Sequence, residues 1–200
     1  QNYMNTFFND AMHELKTPIT KGRITAEMVT QDKYKARLIT VFEKLETLIN
    51  EFASIERITS GIGLTEVKEY RLVDLIDEAM DLAMVGPESV GLNISEEISL
   101  QVDFKLFSIA LKNMIDNGIK YSKEKRVKVV ADKHSIRFIS LGDPLEHPLA
   151  HYVEPFVQGA NSTKSLGLGL YIVDNIIKAH SLELTYRHQN GYNIFYFEKL

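Results

Sequence analysis

The sequence has no cysteine and no tryptophan, only 5 prolines in 200 residues, and no apolar run near the roughly 18 residues that span a bilayer. Without cysteine there is no disulfide framework, no thiolate metal site and no cysteine nucleophile. A charge excess is missing too: 23 Lys and Arg face 27 Asp and Glu, a net charge of −4. That balance does not suit a chain that coats nucleic acid or anionic lipid, so neither a nucleic-acid partner nor membrane contact by this stretch is expected. A hydrophobic content of 44% with 25% charged residues also excludes disorder. No signal-peptide pattern is present, and the chain opens at Gln1 within a helical pattern, so we expect a fragment of a longer polypeptide.

What is present divides into two regions of different hydrophobic period. Residues 1–58 read as two helices broken near Thr30-Gln31-Asp32, 59–66 as a turn-rich linker, and 67–200 as alternating strands and helices. The second helix places Leu38, Val41, Leu45, Leu48, Phe52 and Ile55 at alternating spacings of three and four, and Phe42 and Ile49 widen that stripe. The first helix carries Phe8, Ala11, Met12, Leu15 and Ile19 on one face. One partner helix cannot cover so broad a face, so a homodimeric four-helix bundle is expected.

The second region reads as α+β. Strands are expected at Val67–Leu72, Leu92–Ile94, Leu100–Val102, Val127–Ala131, Ile136–Ile139, Leu182–Arg187 and Tyr192–Phe197. Helices are expected at Val73–Ala83, Phe104–Tyr121 and Leu168–Ala179, covering one face of a mixed, mostly antiparallel sheet. Residues 142–166 have little periodicity and form a long loop, a length that itself suggests function.

Within the first helix stands His13-Glu14-Leu15-Lys16-Thr17-Pro18-Ile19. At about 100° per residue, His13 lies about 150° from the centre of the apolar stripe, with Thr17 one turn later on the same face. Glu14 can keep one imidazole nitrogen protonated and leave the other as a nucleophile. Pro18 removes the amide that would bond the Glu14 carbonyl, and a proline in a helix interior costs about 3 kcal/mol. Further along, Asn113, Asn117 and Lys120 fall at i, i+4 and i+7 on one helix face, ahead of Tyr121. Two amide oxygens and an ammonium suit hydrated Mg²⁺ with phosphate oxygens, although a solvated polar face has the same pattern. Gly167-Leu168-Gly169-Leu170 opens a helix, where glycines let backbone amides approach phosphate. His147, His151 and Glu154 have a spacing that could hold zinc, against which Pro148 and the loop context count.

These motifs resemble, in order, the H, N, G1, F and G2 boxes of sensor histidine kinases, a likeness that runs over essentially all 200 residues. The resemblance implies a helical hairpin that dimerises and accepts phosphate, followed by a Bergerat-type ATP-binding α/β sandwich. It implies that His13 accepts the phosphoryl group of ATP, with Glu14 as its acid/base partner. Thr17 would position water for dephosphorylation of a response regulator, whose receiver domain would dock near Lys21 and Arg23. Asn117 would bind Mg²⁺, Asn113 and Lys120 the phosphates, and Tyr121 the adenosine part. Glu154-Pro155-Phe156 resembles the F box, which makes 142–166 the ATP lid, with Lys164 near its end able to reach phosphate; Gly167, Leu168 and Gly169 would cradle the phosphates. Gyrase-, Hsp90- and MutL-like ATPases share the fold but carry a glutamate at the position of Asn113, where it activates water. Asparagine there disfavours hydrolysis.

Two departures stand out. The G1 stretch is Ser140-Leu141-Gly142-Asp143-Pro144, so Ser140 replaces the aspartate that accepts from the adenine amino group, and Pro144 replaces the second glycine. Lys164-Ser165 replaces a glycine pair. A stiffer lid and weaker ATP affinity are expected, and a dimeric scaffold or phosphatase with a decayed ATP lobe is the alternative. The stretch around His13 faintly resembles acid-responsive members of the family. The resemblance also implies a cytoplasmic location for this fragment, in a protein anchored in the bacterial inner membrane.

Overall fold

The computed structural model describes residues 2–59, 63–64, 66–94, 97–154 and 168–199, without the side chains of 2–11, 13, 14, 54 and 57. The chain divides into two compact units, Gln1–Gly63 and Leu64–Leu200.

The first unit is the expected hairpin of α1 (Asn2–Glu27) and α2 (Asp32–Thr59). Its turn is short: the Val29 amide donates to the Ala26 carbonyl at 3.2 Å, and the Tyr34 and Lys35 amides donate to the Gln31 carbonyl at 3.0 Å. Gly22 admits the Phe42 ring against α1, since any Cβ at that position would collide with it. Nearby, Arg23 Nη1 donates to Glu46 Oε2 at 2.8 Å and ties the two helices. The apolar stripe is only partly covered. Met12, Ile19, Leu45 and Leu48 are half-buried, whereas Leu15, Ile24, Leu38 and Val41 are exposed.

The second unit is α+β, as the periodicity suggested. It comprises β1 (Val67–Arg71), α3 (Leu72–Ala83), β2 (Val90–Ile94), β3 (Ser99–Asp103), α4 (Phe104–Tyr121), β4 (Val127–Ala131) and β5 (Ser135–Leu141). Then follow α5 (Leu149–Tyr152), α6 (Gly169–Ala179), β6 (Leu182–Gln189) and β7 (Tyr192–Lys199). The main sheet has five strands in the order β2-β4-β5-β7-β6, parallel only between β2 and β4. A separate ribbon pairs β1 with β3. Helix α4 packs on β4, β5, α3 and α6, and α6 packs on β6.

Sequence and structure agree on α4 and β4 to the residue. Other strands lengthen through ladder bonds: β2 starts at Val90 through its parallel pairing with β4, and β5 runs on to Leu141 opposite β7, whereas Leu72, expected to end the first strand, opens α3. Leu168 is the N-cap residue of α6, not its first helical residue. The aperiodic stretch from Gly142 contains the short α5.

The core is set by alternation. On β5 Ile136 and Phe138 are buried, and on β7 Phe197 faces the same layer. Phe197 meets Phe138 at 5.0 Å and Phe107 of α4 at 6.1 Å between ring centroids, tilted and edge-on. Asp103 caps α4 by accepting from the Leu106 amide at 3.1 Å.

His180, after α6, joins three of these elements. Its Nδ1 donates to the Ile176 carbonyl at 2.7 Å, its Nε2 accepts from the Asp103 amide at 3.0 Å, and its ring meets Phe107 edge-on at 5.4 Å. One nitrogen must donate and the other accept, so the imidazole is neutral. Burial pushes its pKa below the usual 6.5, against the upward pull of the Ile176 carbonyl and of Asp103. The unfolded chain therefore binds this proton more readily, and the stabilisation by His180 is complete above pH 6.5 and is lost as pH falls through and below it. Replacing His180 by Ala should cost about 2 kcal/mol near neutral pH through two lost hydrogen bonds and a cavity. Urea melts of both proteins should show the gap narrowing towards about pH 5.5; a gap independent of pH would contradict the neutral imidazole.

Candidate functional site

The polar end of α4 emerges from the core. Phe107, Leu111, Met114 and Ile115 face inward, and Asn113 is drawn in with them at 6% exposure. A solvated polar face, the plainer reading of this pattern, is therefore excluded at Asn113. Lys112 Nζ donates to Asn113 Oδ1 at 3.3 Å and pairs with Asp116 at 3.3 Å. Asn113 Nδ2 is buried and has no partner among the described residues. A buried amide with an unused donor costs about 1–3 kcal/mol, so its retention points to a ligand acceptor. One turn on, Asn117 and Lys120 are half-buried, and Tyr121 is exposed with Lys120 Nζ 5.0 Å from its ring centroid.

The glycine motif comes to the same place. Gly169 opens α6, and a Cβ there would lie 3.5 Å from Asn117 Nδ2. Leu168 supplies no side-chain cap to α6. The positive end of that helix's dipole favours an anion here. The juxtaposition of Asn117, the α6 N-terminus and the unpartnered Asn113 amide fits a triphosphate with a hard, oxygen-preferring divalent cation.

At the exit of β5 lies the degraded G1 stretch. Ser140 is buried and pairs across the sheet with Asn193. Gly142 passes so close to α4 that a Cβ would lie 3.3 Å from the Tyr121 carbonyl, and the Lys123 amide donates to the Leu141 carbonyl at 2.8 Å. The structure therefore brings Ser140 and Gly142 to the Asn117–Tyr121 end of α4. Sequence reasoning missed the residues that brace this corner, namely Tyr186, His188 and Asn193, together with Lys112. One signal was available: Asn193 alternates with Phe195 and Phe197, a polar residue in a buried register.

In the hairpin unit, His13 and Glu14 lie in the helical backbone of α1, their side chains outside the described residues. Thr17 is exposed one turn later, and Pro18 lies inside the same helix. Arg23, expected near a docking surface, is engaged by Glu46. Lys164, Gly167 and the Pro155-Phe156 part of the F box lie outside the described residues. His147 and His151 stack with centroids 4.6 Å apart, but no set of three metal-ligating side chains forms among the described residues.

Comparison with known proteins matches residues 102–199 to the family described as histidine kinase-, DNA gyrase B-, and HSP90-like ATPase. The sensor histidine kinase ArsS of Helicobacter pylori is 34% identical over 190 residues, which cover 92% of this chain and 44% of that protein. The likeness is to the sensor histidine kinases, and it runs over nearly the whole chain. The sensor histidine protein kinase HK06 of Streptococcus pneumoniae is 26% identical over 97% of this chain and 48% of that protein. The chain thus spans about half the length of the curated relatives it matches. The Acinetobacter baumannii histidine kinase AdeS shares the fold, with TM-score 0.63 and 18% identity over 94% of this chain and 96% of that one. So does full-length ShkA in complex with AMPPNP, with TM-score 0.68 and 19% identity over 98% of this chain and 46% of that one.

Within the second unit, Gly118 seats α4 on the sheet: a Cβ there would lie 2.5 Å from Val127 Cγ2, and Val127 is 2% exposed. Gly118→Ala should therefore destabilise the unit by about 1–3 kcal/mol, despite alanine's better helix propensity. Denaturant melts check this; a stabilised variant would mean that α4 is not pressed onto β4 here.

Proposed function

We propose that this chain is the kinase core of a two-component signalling protein. It binds Mg·ATP at the α4–α6 corner, phosphorylates His13 and passes the phosphoryl group to an aspartate of a response-regulator receiver domain. The observation that carries the reading is the buried, unpartnered Asn113 amide next to Asn117 and the α6 N-terminus. Asn113 donates to a phosphate oxygen, Asn117 offers its amide oxygen to the cation, and Lys120 balances phosphate charge. Mg²⁺, when bound, supplies further neutralisation of charge on the phosphates. Tyr121 lies against the adenosine part, and Ser140 and Gly142 form the adenine side. Gly167, Leu168 and Gly169, with Lys164 from the lid, approach the phosphates.

Transfer forms a nitrogen–phosphorus bond at His13 and breaks the bond from the γ-phosphorus to the bridging oxygen, which leaves with ADP. Glu14 keeps the second imidazole nitrogen protonated and balances its charge. With asparagine at position 113, no carboxylate stands there to activate water, which favours the imidazole as acceptor. The exposure of Leu15, Ile24, Leu38 and Val41 supports a homodimer through the hairpin. The reading puts this core in the cytoplasm, in a protein anchored to the bacterial inner membrane. Thr17 would serve the reverse reaction by orienting water on the phospho-regulator. Ser140 favours a second reading, a phosphatase or scaffold whose ATP lobe has weakened.

Incubation with γ-labelled ATP and Mg²⁺ should give acid-labile, alkali-stable label that is absent in His13→Ala. No label, with phosphatase activity that depends on Thr17, would select the second reading. Restoring the carboxylate by Ser140→Asp should tighten ATP binding about fivefold through a charge-assisted hydrogen bond. Unchanged affinity by calorimetry would mean that another group serves adenine.

A further inference from the structure

Four side chains outside the motifs converge where β5 ends. Strand register puts Ser140, Asn193 and His188 in one row on the helix-covered face, next to the row of Phe138, Phe195 and Tyr186. The face is apolar up to this row and polar at it. Tyr186 donates its hydroxyl to Asn193 Oδ1 at 2.6 Å, and the Tyr186 hydroxyl oxygen accepts from the Leu145 amide at 3.0 Å. Asn193, only 8% exposed, uses Nδ2 to donate to the Asp143 carbonyl at 2.9 Å. His188 Nε2 lies 3.0 Å from the Gly142 carbonyl and must donate to it, and the Gly142 amide donates to the Gly191 carbonyl at 3.0 Å. On the other side Lys123 Nζ pairs with Asp143 at 2.6 Å.

Gly142, Asp143 and Leu145 are thus each held by β6, β7 or their turn, and Pro144 fixes its own φ. This is the stretch in which Pro144 stands in place of the glycine expected from the family pattern. Gly142 has no spare room, since a Cβ there would lie 2.9 Å from Asn193 Nδ2. A backbone ordered before the ligand arrives avoids the entropy cost of ordering it on binding.

We propose that Tyr186 and Asn193 are positioning residues that hold the Gly142–Leu145 backbone against the end of α4, so that the nucleotide wall beside Ser140 is set in advance. The proposal rests on the nucleotide-binding reading above. Each polar group of the two side chains is already engaged, and they act through the backbone they hold.

Tyr186→Phe is the test, because it keeps the ring against Phe195 (5.0 Å between centroids) and removes only the hydroxyl. The Kd for ATP and for ADP, measured by calorimetry, should rise about tenfold, and KM for ATP should rise with them. The rate at saturating ATP should stay within about twofold, a split that general loosening of the fold would not give. Asn193→Ala should weaken binding similarly, and the double variant should lose less than the sum of the two single losses, because both act on one chain of bonds. Unchanged Kd in Tyr186→Phe, additive losses in the double variant, or a saturating rate that falls together with the melting temperature would each overturn the proposal. Wild-type protein that binds neither nucleotide would overturn the reading beneath it, whereas wild-type protein that binds while Tyr186→Phe binds equally well overturns the clamp alone.

Discussion

Burial of α4 against the sheet is the interaction on which the rest of the ATP-binding unit depends. Phe107, Leu111, Met114 and Ile115 are at most 1% exposed. Each contributes about 1.5–3 kcal/mol of burial, enough to fix the rotation of the helix about its axis. That rotation has a chemical consequence. Asn113 follows Met114's neighbours into the interior, and its amide is desolvated although Lys112 satisfies only one of its atoms. An α4 rotated by one residue would return Asn113 to water and lose the ring contact between Phe107 and Phe197. The packing that stabilises the unit therefore also aims the site, and Gly118 permits the close seating that makes this possible.

The legible parts of this fold are those determined by local chemistry. A helical period of apolar residues carried α4 from Phe104 to Tyr121, and the structure adds the Asp103 cap at its start. The hairpin was legible for the same reason, from an uninterrupted helical stripe on each side of a polar break. Strand pairing was not. That β1 leaves the main sheet to pair with β3, and that β2 runs parallel to β4, depends on which edges meet in three dimensions. The site was legible where its residues fall at helical spacing, as with Asn113, Asn117 and Lys120. It was illegible where strand register assembles it, as with Asn193 and His188, which stand in one row with Ser140 from more than forty residues away in sequence. Asn193 carried a detectable trace only because it breaks an apolar alternation.

On the proposed function, the site separates two demands. Phosphoryl transfer needs charge neutralisation and alignment on one side of the nucleotide, and recognition of the base on the other. The phosphate-side residues of α4 and α6 match the family pattern, apart from those outside the described residues. The departures at Ser140 and Pro144 fall on the adenine side, and those at Lys164 and Ser165 lie outside the described residues. A loss there weakens ground-state binding more than the chemical step, since the base is remote from the reacting phosphorus. This is why a degraded G1 stretch is compatible with kinase chemistry.

Weakened recognition and added rigidity act in opposite directions on affinity. Exchanging a carboxylate for the Ser140 hydroxyl removes a charge-assisted hydrogen bond, a loss of about 1 kcal/mol. Fixing one residue's backbone costs about 1–2 kcal/mol of conformational entropy, so ordering Gly142–Leu145 before binding offsets a loss of that size. Glycine in place of Pro144 would widen the unbound ensemble, and a clamp from β6 and β7 could then narrow it only in part. Pro144, Asn193 and Tyr186 therefore make one physical unit: the proline limits the free segment, and the two side chains select a single conformation from what remains.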